Sequence, residues 1–293
     1  MATGIVSIAA TAEGLAIVSN TCLAFAISAW IVLAGAVFPR ALRTLRRPRL
    51  QSFALVASTA VIGTRIALAG DETPALALWS LALFFYVLLL FRRPSAADVG
   101  GGSLLIVVAT ESLAVLAALL ALHSTAGLLV VALVAWALGL GLYPPLTAAI
   151  VSALLRRPRF APELWIVMGA LAIATLAGAE LLLASRVLRA LPGFRDALLT
   201  VDLTTWSLAS SLIVPLLGAE LRCRGAWRYD PSRWSFVFPL AMYSVATRTL
   251  AQADMLSPLN RIGAVFFAFA LAAWVAALAG MARRARLRLR RAR

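Results

Sequence analysis

The chain has 293 residues, 62% of them hydrophobic, with a mean hydropathy of +0.94. Values this far outside the range of soluble domains indicate a protein that crosses a membrane many times. The formal charge of +15 rests on Arg alone, because the sequence contains no Lys, and this excludes a P-loop Lys for ATP and a Schiff-base Lys for retinal or pyridoxal.

In chain order, ten apolar segments are predicted as membrane helices: 1–13, 16–38, 51–69, 74–91, 103–122, 126–154, 163–184, 199–219, 234–253 and 259–282. Arg runs follow the even-numbered segments. They comprise Arg40, Arg43, Arg46, Arg47 and Arg49, then Arg92 and Arg93, then Arg156, Arg157 and Arg159, then Arg222, Arg224, Arg228 and Arg233, and finally the tail after 282. Loops after odd-numbered segments are short and poor in Arg, except 185–198. The positive-inside rule therefore puts both termini in the cytoplasm of a cell (inner) membrane protein and groups the chain into five helical hairpins in one domain, 1–293. A tripeptide echo, Arg46-Arg47-Pro48, Arg92-Arg93-Pro94 and Arg156-Arg157-Pro158, lends weak support to an internal repeat.

Two segments depart from a simple span. Residues 1–13 would rise only about 20 Å as a helix, short of the ~30 Å hydrocarbon core. The expectation is that part of this helix lies in front of Met1. In segment six, Gly139, Gly141 and Pro144-Pro145 predict a break, either a kink or a re-entrant feature.

Ionisable residues inside the segments are few. Glu13, Arg65, Glu111, Glu180 and Arg248 fall in segments one, three, five, seven and nine, and Asp202 in segment eight. Intramembrane charges face protein or water rather than acyl chains. The odd segments are therefore expected to form an inner layer and the even ones an outer layer. Arg65, Glu111, Glu180 and Arg248 become candidate pore or vestibule charges. The alternative is neutralising pairs, for instance Arg65 with Glu13 and Arg248 with Glu180 or Asp202. Such pairs can also shape a vestibule.

Residues 233–250 carry the strongest local signal. Pro239 removes a backbone hydrogen bond and bends the helix. Phe238 sits beside the bend, and Phe238, Ala241, Val245 and Arg248 follow helical spacing along one broad face. A bulky ring at a bend, with a cation further along, suggests an anion pathway. The plain alternative is a kinked structural helix whose Arg reaches the interface.

M-A-T-G-I-V-S-I-A (1–9), the ten segments and R-W-S-F-V-F-P-L-A (233–241) together resemble the tellurite-resistance/dicarboxylate transporter family. That family includes bacterial tellurite-resistance proteins, fungal malate and sulfite transporters and the plant guard-cell slow anion channels. The resemblance covers the whole chain in topology and is specific in the first and ninth segments. It implies an all-α membrane protein of ten transmembrane helices, arranged as five hairpins about a quasi-fivefold axis with odd helices lining a central pore. It also implies a homotrimer with one pore per subunit and a Phe on the ninth helix that plugs the pore. The matching residue is Phe238, with Phe236 as the fallback. The family's inner helices are often kinked by proline, whereas here only segment nine among the odd ones contains one.

The expected function is passage of small anions, such as C4-dicarboxylate, sulfite or an inorganic oxyanion or halide, through an apolar pore closed by Phe238. A second version is a proton-coupled dicarboxylate transporter or exchanger, with Glu111 as the proton carrier. A third is a non-transporting scaffold or sensor whose basic loops touch anionic lipid. An enzyme is not expected. No acidic pair stands at helical spacing within a segment, and His123, Cys22 and Cys223 cannot build a usual metal or haem site. No catalytic residue, metal, cofactor or nucleic-acid partner is expected. The expected partners are small anions, the lipid bilayer and further copies of the chain.

Overall fold

The computed structural model describes residues 1–44, 50–92, 100–122, 126–156, 160–190, 193–222 and 229–291, apart from the side chains of 36–44 and 288–291. His123, Cys223 and most of the repeated Arg-Arg-Pro tripeptides lie outside the described residues. Those residues form ten α-helices and no strand: α1 (Ala2–Ala12), α2 (Ala16–Thr44), α3 (Ala54–Ala67), α4 (Glu72–Phe91), α5 (Leu105–Ala121), α6 (Gly127–Arg156), α7 (Trp165–Val187), α8 (Arg195–Arg222), α9 (Trp234–Ala253) and α10 (Leu259–Arg291).

Eight of these segments are long and apolar enough to cross a membrane, and α1 and α9 fall outside that set. The α1 helix has 11 residues, and α9 carries a polar series that includes Ser244, Thr247, Arg248 and Thr249. Both still complete the inner layer. Contacts run α1–α3–α5–α7–α9 and back to α1, closing a ring of the odd helices. Each even helix packs on the odd helix of its own hairpin, and also on the odd helix of the next hairpin. Burial follows the same division. Of the spanning segments, 94% is buried in that of α5 and 89% in that of α7, against 17% for α2 and 22% for α4. Large apolar side chains such as Ile17, Phe84, Phe91, Leu138 and Phe269 point outward from the even helices, as a lipid-facing surface requires.

The fivefold repeat has a specific chemical signature. Each even helix carries one Trp whose indole N–H donates to the odd helix of the next hairpin. Trp30 on α2 bonds Thr59 Oγ1 on α3 (3.0 Å), Trp79 on α4 bonds the Leu113 carbonyl on α5 (3.1 Å), and Trp136 on α6 bonds the Ala174 carbonyl on α7 (2.9 Å). Trp206 on α8 bonds Thr247 Oγ1 on α9 (3.0 Å), and Trp274 on α10 returns to Thr3 Oγ1 on α1 (3.1 Å). A buried indole N–H needs an acceptor, so each bond fixes one hairpin against its neighbour and the five together close the ring. A second repeat lies at the entry to the odd helices: α3, α5, α7 and α9 are each entered through a short 3-10 turn, at Leu50–Phe53, Gly101–Leu104, Pro162–Leu164 and Pro231–Arg233. Successive turns touch one another.

Of the two forms expected for segment six, the re-entrant one is absent. The α6 helix runs unbroken through Pro144 and Pro145. Gly141 stands four residues before Pro145, where a proline ring meets the preceding turn, and it carries no side chain to crowd that turn.

Candidate functional site

The odd helices meet around a cavity of ≈ 10 Å³ on their common axis, bounded by Ile5, Ile8, Val61, Thr64, Ser112, Val115, Ile173, Leu176 and Met242. All five helices contribute. Four of them do so with a pair at i, i+3, one helical turn apart on one face. The volume is about what a single water needs, and the lining is aliphatic apart from Thr64 and Ser112. An ion with its hydration shell does not fit in this conformation.

One turn before Met242 on α9 stands Phe238, and one turn before Ile173 on α7 stands Gly169. These two residues meet: a methyl group built on Gly169 would lie 3.2 Å from Phe238 Cε1 and 3.0 Å from Pro239 Cγ. Gly169 thus leaves the room that the aromatic ring occupies. The same four-residue step back from Val61 and Ser112 reaches Ala57 and Val108, both fully buried. Phe238, itself 1% exposed, is therefore the bulky member of a layer whose neighbours on α3, α5 and α7 are small or β-branched.

Phe236 has a different environment. Its ring meets Trp165 edge to face, with centroids 4.7 Å apart. It also lines a lateral cavity of ≈ 350 Å³ between α8 and α10, beside the Arg233–Glu220 ion pair. A further cavity of ≈ 370 Å³ lies between α2, α3 and α4, among Trp30, Leu55 and Phe85. Both are larger than the axial cavity, and both open sideways.

Three of the intramembrane charges, Arg65, Glu111 and Asp202, lie in the seams between inner and outer helices. Arg65 donates from Nε to Ser19 Oγ (2.9 Å) and from Nη2 to Asn20 Oδ1 (3.0 Å), both on α2. Ser19 is in turn bonded to Ser7 and Thr11 of α1. Arg248 pairs with Glu13 (Nη2 to Oε2, 2.6 Å) and donates to the Ala12 carbonyl (3.1 Å), while its stem packs over Gly263 of α10. This corrects the expected pairing of Arg65 with Glu13 and of Arg248 with Glu180 or Asp202. The C-terminal end of α1 offers a cation both a carboxylate and free carbonyls, and Arg248 takes them. Glu111 is fully buried, and its carboxylate lies against Gly139 of α6, facing away from the axial cavity; its neighbour Ser112 faces the axis together with Val115. Asp202 lies in the same way against Gly178 of α7. Glu180, on α7, stands one turn beyond Leu176 and is 9% exposed. Among the described residues no group of three or more His, Cys, Asp or Glu could hold a metal ion.

Sequence reasoning missed the nine axial residues and the glycine seats of the two acids. The i, i+3 pairs were visible in four odd segments, but the same spacing describes any buried helix face.

Residues 1–282 match the family described as "Voltage-dependent anion channel". Similar curated proteins include two uncharacterized membrane proteins of Mycobacterium tuberculosis, from the CDC 1551 / Oshkosh and H37Rv strains. Each is 32% identical over 131 residues, covering 43% of this chain and 66% of the relative. The match thus spans just under two thirds of the relatives' length. With eight span-length apolar segments and relatives of this kind, the chain is a multi-pass membrane protein.

Proposed function

The chain belongs to the voltage-dependent anion channel family, and from that premise we propose that it carries small anions across the membrane along the axis of its five odd helices. The family is one of channels and transporters rather than enzymes. The candidate cargo is a C4-dicarboxylate, sulfite, or an inorganic oxyanion or halide. Phe238 is the gate, and Pro239 fixes the turn that carries it. The observation that supports this reading is the axial alignment: a cavity lined from all five inner helices, with Phe238 one turn away over the vacant face of Gly169. Two apolar layers, the Phe238 layer and the Ile173–Met242 girdle, close the path by steric bulk and by excluding water.

Charge enters at the far ends of the inner helices. Arg65 and Glu180 shape the vestibule there, and Arg248 acts through its pairing with Glu13. The protein works as a homotrimer with one pore per subunit, in the cell (inner) membrane, with both termini on the cytoplasmic side where the Arg-rich loops lie. Reconstituted into planar bilayers, Phe238→Ala should raise anion current several-fold, and Phe236→Ala should leave it unchanged. Equal currents from folded wild type and Phe238→Ala would remove the gate.

A second reading is proton-coupled dicarboxylate exchange through Glu111. It is favoured by the state of that residue, whose two carboxylate oxygens are buried and accept no hydrogen bond. Dicarboxylate uptake into proteoliposomes that follows an imposed pH gradient, and loses that dependence in Glu111→Gln, would select exchange over a channel.

A further inference from the structure

Among the described residues, two acids in the seams stand apart from every other charge. Glu111 on α5 and Asp202 on α8 are both 0% exposed. All four of their carboxylate oxygens are buried without a hydrogen-bond partner. Each is seated against a glycine of an adjoining helix, Glu111 against Gly139 of α6 and Asp202 against Gly178 of α7, where a Cβ would overlap the carboxylate. The two are within electrostatic reach of each other. Trp136 lies between them, one turn from Gly139 on α6, with its indole edge 3.3 Å from the methyl position of Gly178.

The donors around them are committed elsewhere. The Trp136 N–H donates to the Ala174 carbonyl, and Thr205 to the backbone carbonyl of Asp202 itself. On the packed elements, the titratable groups with described partners are likewise engaged. Arg65 of α3 bonds Ser19 and Asn20, Tyr86 of α4 bonds Thr110, Tyr143 of α6 bonds the Val167 carbonyl, Tyr243 of α9 bonds Ser210, and Arg248 bonds Glu13. Glu180 and Arg186 of α7, Glu72 of α4 and Arg156 of α6 also stand on those elements, and none of them donates to either acid.

An ionised carboxylate with no protein donor and no cation beside it is not sustained in an apolar seam. The missing compensation is a ligand. Among the described residues no third His, Cys, Asp or Glu joins the two carboxylates, and a divalent metal takes six or more oxygen ligands, for which the tight glycine seats offer little space. A proton is the ligand that needs no further coordination and no added volume, and the glycine seats leave room for the acid and little else. We propose that Glu111 and Asp202 form a proton-binding pair in the α5–α6–α7–α8 seam, off the axis and one residue from the pore wall at Ser112. Loss of either proton leaves a bare charge between the inner and outer layers, and the cheapest relief is separation of α6 and α8 from the wall they cover. The pair is thus a place where pH acts on the pore wall without contact with the permeating ion, and it does not depend on which anion passes.

Infrared spectroscopy of the purified protein in lipid nanodiscs at neutral pH tests this without any flux measurement. The wild type should show the carbonyl stretch of protonated carboxylic acids, slow to shift in D2O. Glu111→Gln and Asp202→Asn should each remove part of that band. Carboxyl-13C aspartate reaches the same end without substitution, because Asp202 is the buried Asp among the described residues; its label should shift one component of the band. A wild-type spectrum lacking the band, or a carboxylate signal at these residues that appears with sodium and vanishes without it, would overturn the proposal, the second outcome in favour of a bound cation.

Discussion

The axis and the seams of this bundle are built by opposite rules. Along the axis, five helices present isoleucine, valine, leucine and methionine, with Thr64 and Ser112 as the polar exceptions, around a cavity of ≈ 10 Å³. In the seams between inner and outer helices lie Arg65, Glu111, Asp202 and the five cross-hairpin indole bonds. Directional polar contacts thus sit where one helix must recognise another, and the axis is left apolar. Lipid provides no hydrophobic drive for helix association, so the seams need these specific contacts. The axis needs the reverse, since an ion that passes must be held weakly enough to leave.

Substitutions that break this contrast should sort by region. Gly178→Ala and Gly139→Ala drive a methyl group into a buried carboxylate and should have the largest effect on folding, about 1–3 kcal/mol as for other overpacked cores, read as a lowered unfolding midpoint in detergent. Trp136→Phe keeps the ring and removes one of the five indole bonds. It should cost about 1 kcal/mol and leave anion selectivity unaltered. On the axis, Gly169→Ala should act on conductance more than on stability, because the new methyl meets the Phe238 ring edge at 3.2 Å and a slightly displaced ring leaks; single-channel recording checks this. If Trp136→Phe altered conductance while Gly169→Ala left it unchanged, the contrast would fail.

The smallest effect is expected at the surface. Asp230 accepts a hydrogen bond from the Ser232 N–H at the entry to α9. Hydrogen bonds from Ser232, with Arg284 and Arg233 nearby, hold its carboxyl below the usual carboxylate range. A depressed carboxyl contributes stability above its unfolded value and loses it as pH falls through the folded one. Asp230→Asn should therefore lower stability slightly at neutral pH and make no difference in acid, visible in unfolding midpoints measured across that range.

The layering of the fold was legible in the sequence. Apolar length gave ten helices, and one rare charge in each odd segment marked the inner layer. The direction of those charges was not legible. A helix in a closed ring of five has two interior faces, one toward the axis and one toward the outer layer, and residue spacing alone does not separate them. Glu111 and Ser112 are adjacent, yet only Ser112 borders the axial cavity. The Glu13–Arg248 pair was illegible for a related reason, since it joins the first inner helix to the last, and only ring closure brings them together. The Trp repeat was in plain view at 30, 79, 136, 206 and 274. It went unread because three further Trp residues blur the period and the indole acceptors have no common residue type.

The adjacent pair Glu111 and Ser112 also gives the most direct test of an axial pathway. With Cys22 and Cys223 replaced by Ser, a single Cys is introduced at 111 or at 112, and each is combined with Phe238→Ala. Exposure to a charged, membrane-impermeant thiol reagent should modify Ser112→Cys, faster with Phe238→Ala than without it, and block the current, while Glu111→Cys stays unreacted. Modification at 111 with 112 protected would contradict an ion path along the five-helix axis, and modification at 112 that ignores residue 238 would contradict its gate.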